Sequence, residues 1–134
     1  MGTYKTTAKD VKVFARAVKK WQAKMGLGRW AIFVQHKNDE DDPDGDAAWV
    51  LSDHETLVCT MALAVDWPLP VTKELLEMSA YHECLHLLLA PLMDYAGTSK
   101  HARQEEHRLI VALERMQFGK ALSEHGETDG ESED

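Results

Sequence analysis

The stretch Thr72–Ala90 reads TKELLEMSAYHECLHLLLA, and it decides how the rest of the chain must be arranged. At about 100° per residue, Leu75, Leu76, Met78, Leu85, Leu87, Leu88 and Leu89 point in almost every direction round a helix, which predicts a rod buried on most of its sides. Pro91 is expected to end or kink it. Upstream, Trp30–His36, Ala47–Leu51 and Thr56–Val65 are short and rich in β-branched or aromatic residues, which predicts three strands. The connection Ser52-Asp53-His54-Glu55 is short enough to make a hairpin of the second and third.

At the start of the chain, Val11, Phe14, Ala15, Val18, Trp21 and Met25 recur at helical spacing, with Thr7 placed to cap the helix and Gly26 to end it. A last helix is expected from about Ser99 to Phe118, with Ala102, Leu109, Ile110, Leu113 and Met116 facing inward. The expectation is a compact α+β domain over residues 1–119: an N-terminal helix, a short sheet of three or four strands, the buried helix and a C-terminal helix. Residues 120–134 read as an acidic, disordered tail.

The chain has 134 residues, 44% of them hydrophobic, which suits one globular domain and excludes a disordered one. No run approaches the roughly 20 apolar residues of a membrane helix, and the start MGTYKTTAKDVKVF has no continuous apolar segment of the secretory kind. Cys59 and Cys84 cannot form the disulfide framework of a small secreted protein. A cytoplasmic location is therefore expected, with no membrane partner. The formal net charge of −8 is misleading, because the acids are concentrated between Asp39 and Asp46 and in the tail. Elsewhere Lys and Arg outnumber them, and Lys9, Lys12, Arg16, Lys19 and Lys20 form a basic stripe on the first helix. The simplest reading of that stripe is a solvated face; nucleic-acid contact is the alternative. Residues 42–46, DPDGD, are reminiscent of a calcium loop but lack the closing acid and the flanking helix pair.

Inside the buried helix, His82-Glu83-Cys84-Leu85-His86 fits the H-E-x-x-H pattern. Residues four apart differ by about 40° in direction, so His82 and His86 share one face and can grip one ion. Zinc suits two neutral imidazoles and keeps an open position for water, although iron, cobalt and nickel accept similar donors. Glu83, about 100° round from His82, stands where a carboxylate can take a proton from that water and return it to a leaving amine. Two imidazoles on an apolar helix are costly unless each nitrogen has a partner, and an ion supplies one to both. For a third ligand the last helix offers Glu105, Glu106 and His107. Glu106 lies at the middle of the inward stripe and is the expected ligand, with His107 in reserve.

These residues, together with Trp30 opening a strand, the run from His82 to Leu92 and the Glu106 helix, resemble the small zincin metallopeptidase-like proteins of phages and prophages. Those proteins look like minimal gluzincins, with SprT-like proteins as more distant relatives. The resemblance covers roughly residues 10–116. It implies a zincin-like fold, zinc, and hydrolysis of a peptide or protein substrate, with Glu83 as base and His82, His86 and Glu106 as ligands. The chain departs from that pattern in two ways: little lies beyond the core to build a deep cleft, and spacing assigns no His or Tyr to the oxyanion. Tyr81 is expected to pack and Tyr95 to lie in a loop.

The remaining candidates read structurally. His54-Glu55 begins a second motif but meets Val58 where a His is needed, so it is expected to be only a turn. Cys84 lies about 160° from His86 and reads, like Cys59, as a core residue. His36, His101 and His125 stand alone, and the four Trp are expected to anchor a small core, with a groove-lining place for Trp67 beside Pro68 as the alternative. The competing function is a catalytically silent, zinc-stabilised binding protein that docks nucleic acid or a protein partner through the basic first helix.

Overall fold

A computed structural model describes residues 4–38, 46–97 and 99–130, with side chains as far as residue 119. Most of the acidic loop, and with it the calcium reading, falls outside the described residues, as does the end of the tail. The elements in chain order are β1 (Tyr4–Lys5), α1 (Ala8–Lys24), β2 (Ala31–His36), β3 (Ala48–Asp53), β4 (Val58–Leu63), β5 (Asp66–Trp67), α2 (Lys73–Ala96) and α3 (Lys100–Gly130). This is an α+β arrangement with an N-terminal helix, two small sheets and two C-terminal helices. Among the described residues, no helix is long and apolar enough to cross a membrane.

Local chemistry sets the limits of α1. Thr7 and Asp10 form a reciprocal capping box, the Thr7 hydroxyl accepting from the Asp10 amide while the Asp10 carboxylate accepts from the Thr7 amide at 2.8 Å. At the other end Gly26 adopts φ +72°, and the Leu27 and Gly26 amides donate back to the carbonyls of Gln22 (2.8 Å) and Ala23 (3.3 Å). This Schellman turn satisfies carbonyls that the helix leaves open, and it favours a residue without a Cβ.

The larger sheet has the order β2-β4-β3. β3 and β4 form the expected hairpin, antiparallel with Leu51 opposite Thr60, and β2 runs parallel to β4 with Phe33 opposite Thr60. Alternation along the strands sends Met61, Leu63, Cys59 and Ala48 into the core. β1 and β5 form a second, two-residue ladder that sequence pattern does not announce. Polar side chains tie it down. Thr6 donates to the Ala64 carbonyl (2.7 Å) and accepts from His36 Nε2 (2.7 Å), while Asn38 accepts from the amides of Val65 and Asp66 (3.0 Å each).

α2 is the central rod, as its sequence requires, packed against α1, α3 and β3. Thr72 caps it, and Leu76, Ala80, Cys84, Leu85 and Leu87 are buried with Phe14, Val18 and Ile110 around them. Two boundaries differ from expectation. α2 runs through Pro91 to Ala96 and stops at Gly97 (φ +92°), forgoing the one amide bond that proline cannot donate. Consequently Tyr95 lies on the helix, 92% exposed, rather than in a loop. α3, capped by the Ser99 hydroxyl at the Ala102 amide (3.1 Å), continues past Phe118 to Gly130. Ile110 is fully buried on it, but Leu109 and Met116, both expected inward, are exposed because the buried stripe is narrower than a wheel drawn from residue type suggests.

Candidate metal centre

His82 and His86 lie on the part of α2 that faces α3, one turn apart, with ring centroids 4.9 Å apart. α3 passes antiparallel to α2 and delivers a carboxylate to each ring. Glu106 Oε2 is 2.8 Å from His86 Nδ1, and Glu114 Oε2 is 2.6 Å from His82 Nδ1. An ionised carboxylate can only accept, so each Nδ1 carries the hydrogen and each Nε2 keeps its lone pair. Carboxylates placed in this way orient imidazole ligands in metal sites and raise their basicity. The donor chemistry therefore suits a borderline-soft cation such as zinc. Among the described residues, however, no three His, Cys, Asp or Glu side chains stand close enough together to hold an ion as they are.

Glu83 is 5% exposed and lines the same cleft as the two histidines. Burial pushes its carboxyl up to about 8; His82 pulls the other way, and the charges of Asp46 and Glu114 add to the rise. For His82 burial alone would lower the pKa, but the hydrogen bond from Glu114 and the charges of Glu83, Glu114 and Asp46 outweigh it, so the net direction is upward.

The cleft has a volume of about 1060 Å³ and lies between β3 on one side and α2 with α3 on the other. That is more room than the short chain leads one to expect, because α2 extends far enough to line it from Leu75 to Gly97. β3 ends its sheet, and Ala48, Trp49, Val50 and Ser52 border the cleft.

His82, Glu83, His86 and Glu106 all line this cleft, with Glu106 meeting His86 only at Nδ1, and His107 lies at its exposed rim. Glu105 points away and pairs with Arg108 at 3.2 Å. Sequence reading misses Glu114, which lies eight residues from Glu106 and about 80° round the helix, at the edge of the inward stripe. It also misses His54. Although it sits in the β3–β4 turn, its Nδ1 lies 3.1 Å from the Asp94 carboxylate, its ring meets Trp30 edge-on, and its buried Nε2 has no partner among the described residues. No spacing rule could have found that pair, because Asp94 reaches His54 only on the part of α2 beyond Pro91.

Tyr81 packs on Trp21 (4.7 Å between ring centroids) and Phe118 (5.3 Å), which is the packing role expected of it. Trp67 is a core anchor, as expected of the Trp residues, rather than lining a groove: it is buried and donates from Nε1 to the Ala47 carbonyl at 3.1 Å. Cys59 and Cys84 are buried thiols pushed by burial to about 11 and about 12, which leaves them protonated and inert.

Compared with protein-family models, curated proteins and solved structures, this chain matches none. What it does rests on the site itself.

Proposed function

We propose that the chain is a zinc-dependent peptidase of minimal zincin-like type, in which His82, His86 and Glu106 hold the metal and Glu83 is the general base. The observation that carries this reading is the pair of imidazoles one turn apart, each held at Nδ1 by a carboxylate, beside a buried glutamate in an open cleft. Glu106 is the carboxylate at His86 and completes the donor set in this reading, while Glu114 orients the His82 ring. Zinc, when bound, would polarise the scissile carbonyl and acidify the attacking water. Glu83 accepts the proton from that water on a carboxylate oxygen and passes it to the leaving amine. The end strand β3 offers an edge to which an extended peptide can add by main-chain hydrogen bonds.

The test is Glu83→Gln in untagged, zinc-loaded protein. Zinc content by elemental analysis should be unchanged while cleavage of a denatured protein substrate falls at least about a hundredfold. Retained cleavage by this variant, or wild-type cleavage that survives a chelator, would refute the reading. A second reading, a silent zinc-stabilised binding protein, is favoured by the basic residues exposed along α1. A salt-dependent gel shift through exposed Lys9, Lys12, Arg16 and Lys19, without any proteolysis, would support it.

A further inference from the structure

The charges lining the cleft are unevenly placed. Asp46, Glu83, Glu106 and Glu114 line the cleft with the histidine pair, and Asp94 lines it farther along α2, paired with His54 at 3.1 Å; among the described residues Arg103 is the only Lys or Arg in the lining. Arg103 stands one turn before Glu106 on α3, on the same face, and therefore within a side chain's length of the His86–Glu106 pair. It is exposed at the rim, with His107 beside it. Arg108, two residues beyond Glu106, pairs with Glu105 at 3.2 Å; Arg103 has no such partner among the described residues.

From this arrangement we propose that Arg103 is a specificity-determining residue that binds a carboxylate of the peptide substrate. The inference rests on the peptidase reading above. A guanidinium offers a planar fork of donors that matches a carboxylate two-on-two, and such pairs are the stronger kind of hydrogen bond. A peptide lying along β3 with its acidic group at Arg103 would keep that group away from Asp46 and Glu114, which repel it, while Asp94 at the same end of the cleft is paired with His54. The carboxylate has two possible sources, an Asp or Glu side chain or the free C-terminus, and the same fork fits both.

One synthetic library of random decapeptides, made as free acids and as C-terminal amides, tests the inference and the reading separately. Full-length Glu83→Gln protein is equilibrated with the library, and the bound peptides are sequenced by mass spectrometry; zinc-loaded wild type digests the same library. The expected result is enrichment of carboxylate-bearing peptides by about tenfold over their Gln or amide counterparts, lost in Glu83→Gln/Arg103→Gln and reduced but not abolished in Glu83→Gln/Arg103→Lys, which keeps the charge without the fork. Enrichment among amidated peptides assigns the side chain as the source, and enrichment confined to free acids assigns the C-terminus. Binding without carboxylate preference, preference that survives Arg103→Gln, or no binding overturns the inference even if the library is cleaved. Arg103-dependent enrichment with no cleavage overturns the peptidase reading and leaves a carboxylate-selective peptide site.

Discussion

Glu114 separates the orientation of a ligand from ligation itself, since it touches His82 through Nδ1 alone (2.6 Å). Glu114→Gln keeps the side-chain volume and an acceptor oxygen but removes the charge. Zinc affinity, measured by competition with a chromophoric chelator, should fall about 10- to 100-fold while the circular dichroism spectrum stays that of wild type. Unchanged affinity would leave Glu114 without influence on the metal. The contrast between Glu106 and Glu114 shows what residue-level reading reaches. Glu106 is legible because it occupies the centre of an apolar stripe, where a lone carboxylate demands a cation. Glu114 lies at the edge of the stripe, and its meeting with His82 depends on how far α3 slides along α2, a quantity no helical period encodes. His54 was further out of reach, because its partner Asp94 belongs to a part of α2 that a proline rule cuts off.

Among the elements, α2 is the one whose length shapes the cleft, and Pro91 is the weak point in it. Pro91 is exposed and takes from the Leu87 carbonyl the amide bond that any other residue would supply. Pro91→Ala restores that bond and should stabilise the fold by about 1–3 kcal/mol, read as a higher urea midpoint at unchanged slope. An unmoved midpoint would mean that the carbonyl already has another partner. The small β1–β5 ladder makes a pH-dependent contribution. Asp66 is held below the usual carboxylate range chiefly by its hydrogen bond with Lys5 (2.5 Å), and then by that with Asn38 (2.8 Å). Because its folded pKa is lower than its unfolded one, its stabilisation is complete above the unfolded value and disappears as pH falls through the folded one. Asp66→Asn should therefore lower Tm at pH 7 and have progressively less effect below pH 4, approaching none once the wild-type carboxyl is protonated. A deficit that stays constant into acid would make the Asn38 contacts, not the charge, the source of the effect. This ladder had no sequence signal because two-residue strands carry no period; the longer strands and all three helices did, each with its cap or turn chemistry.

For the whole molecule, the histidine pair joins function to stability. α2 touches α1, α3 and β3, and α3 is held to it partly through His82–Glu114 and His86–Glu106. A cation that binds the folded site but not the unfolded chain must stabilise the entire domain by mass action, by about 2.7 kcal/mol at a free concentration one hundred times Kd. For a domain of this size that is an upward shift in Tm on the order of 10 °C. Zinc titrated into chelator-treated wild type should produce that shift, and His86→Ala should abolish it. Arg103→Gln, at the exposed rim, should leave it intact. Glu106→Ala then decides the third ligand: loss of most of the zinc-induced shift assigns Glu106 to the donor set, whereas a shift reduced only as much as in Glu114→Gln makes both glutamates orienting partners. In that second case the metal would be held by two imidazoles and a donor supplied by substrate or solvent, and zinc-induced stabilisation should increase when a non-cleavable peptide is added.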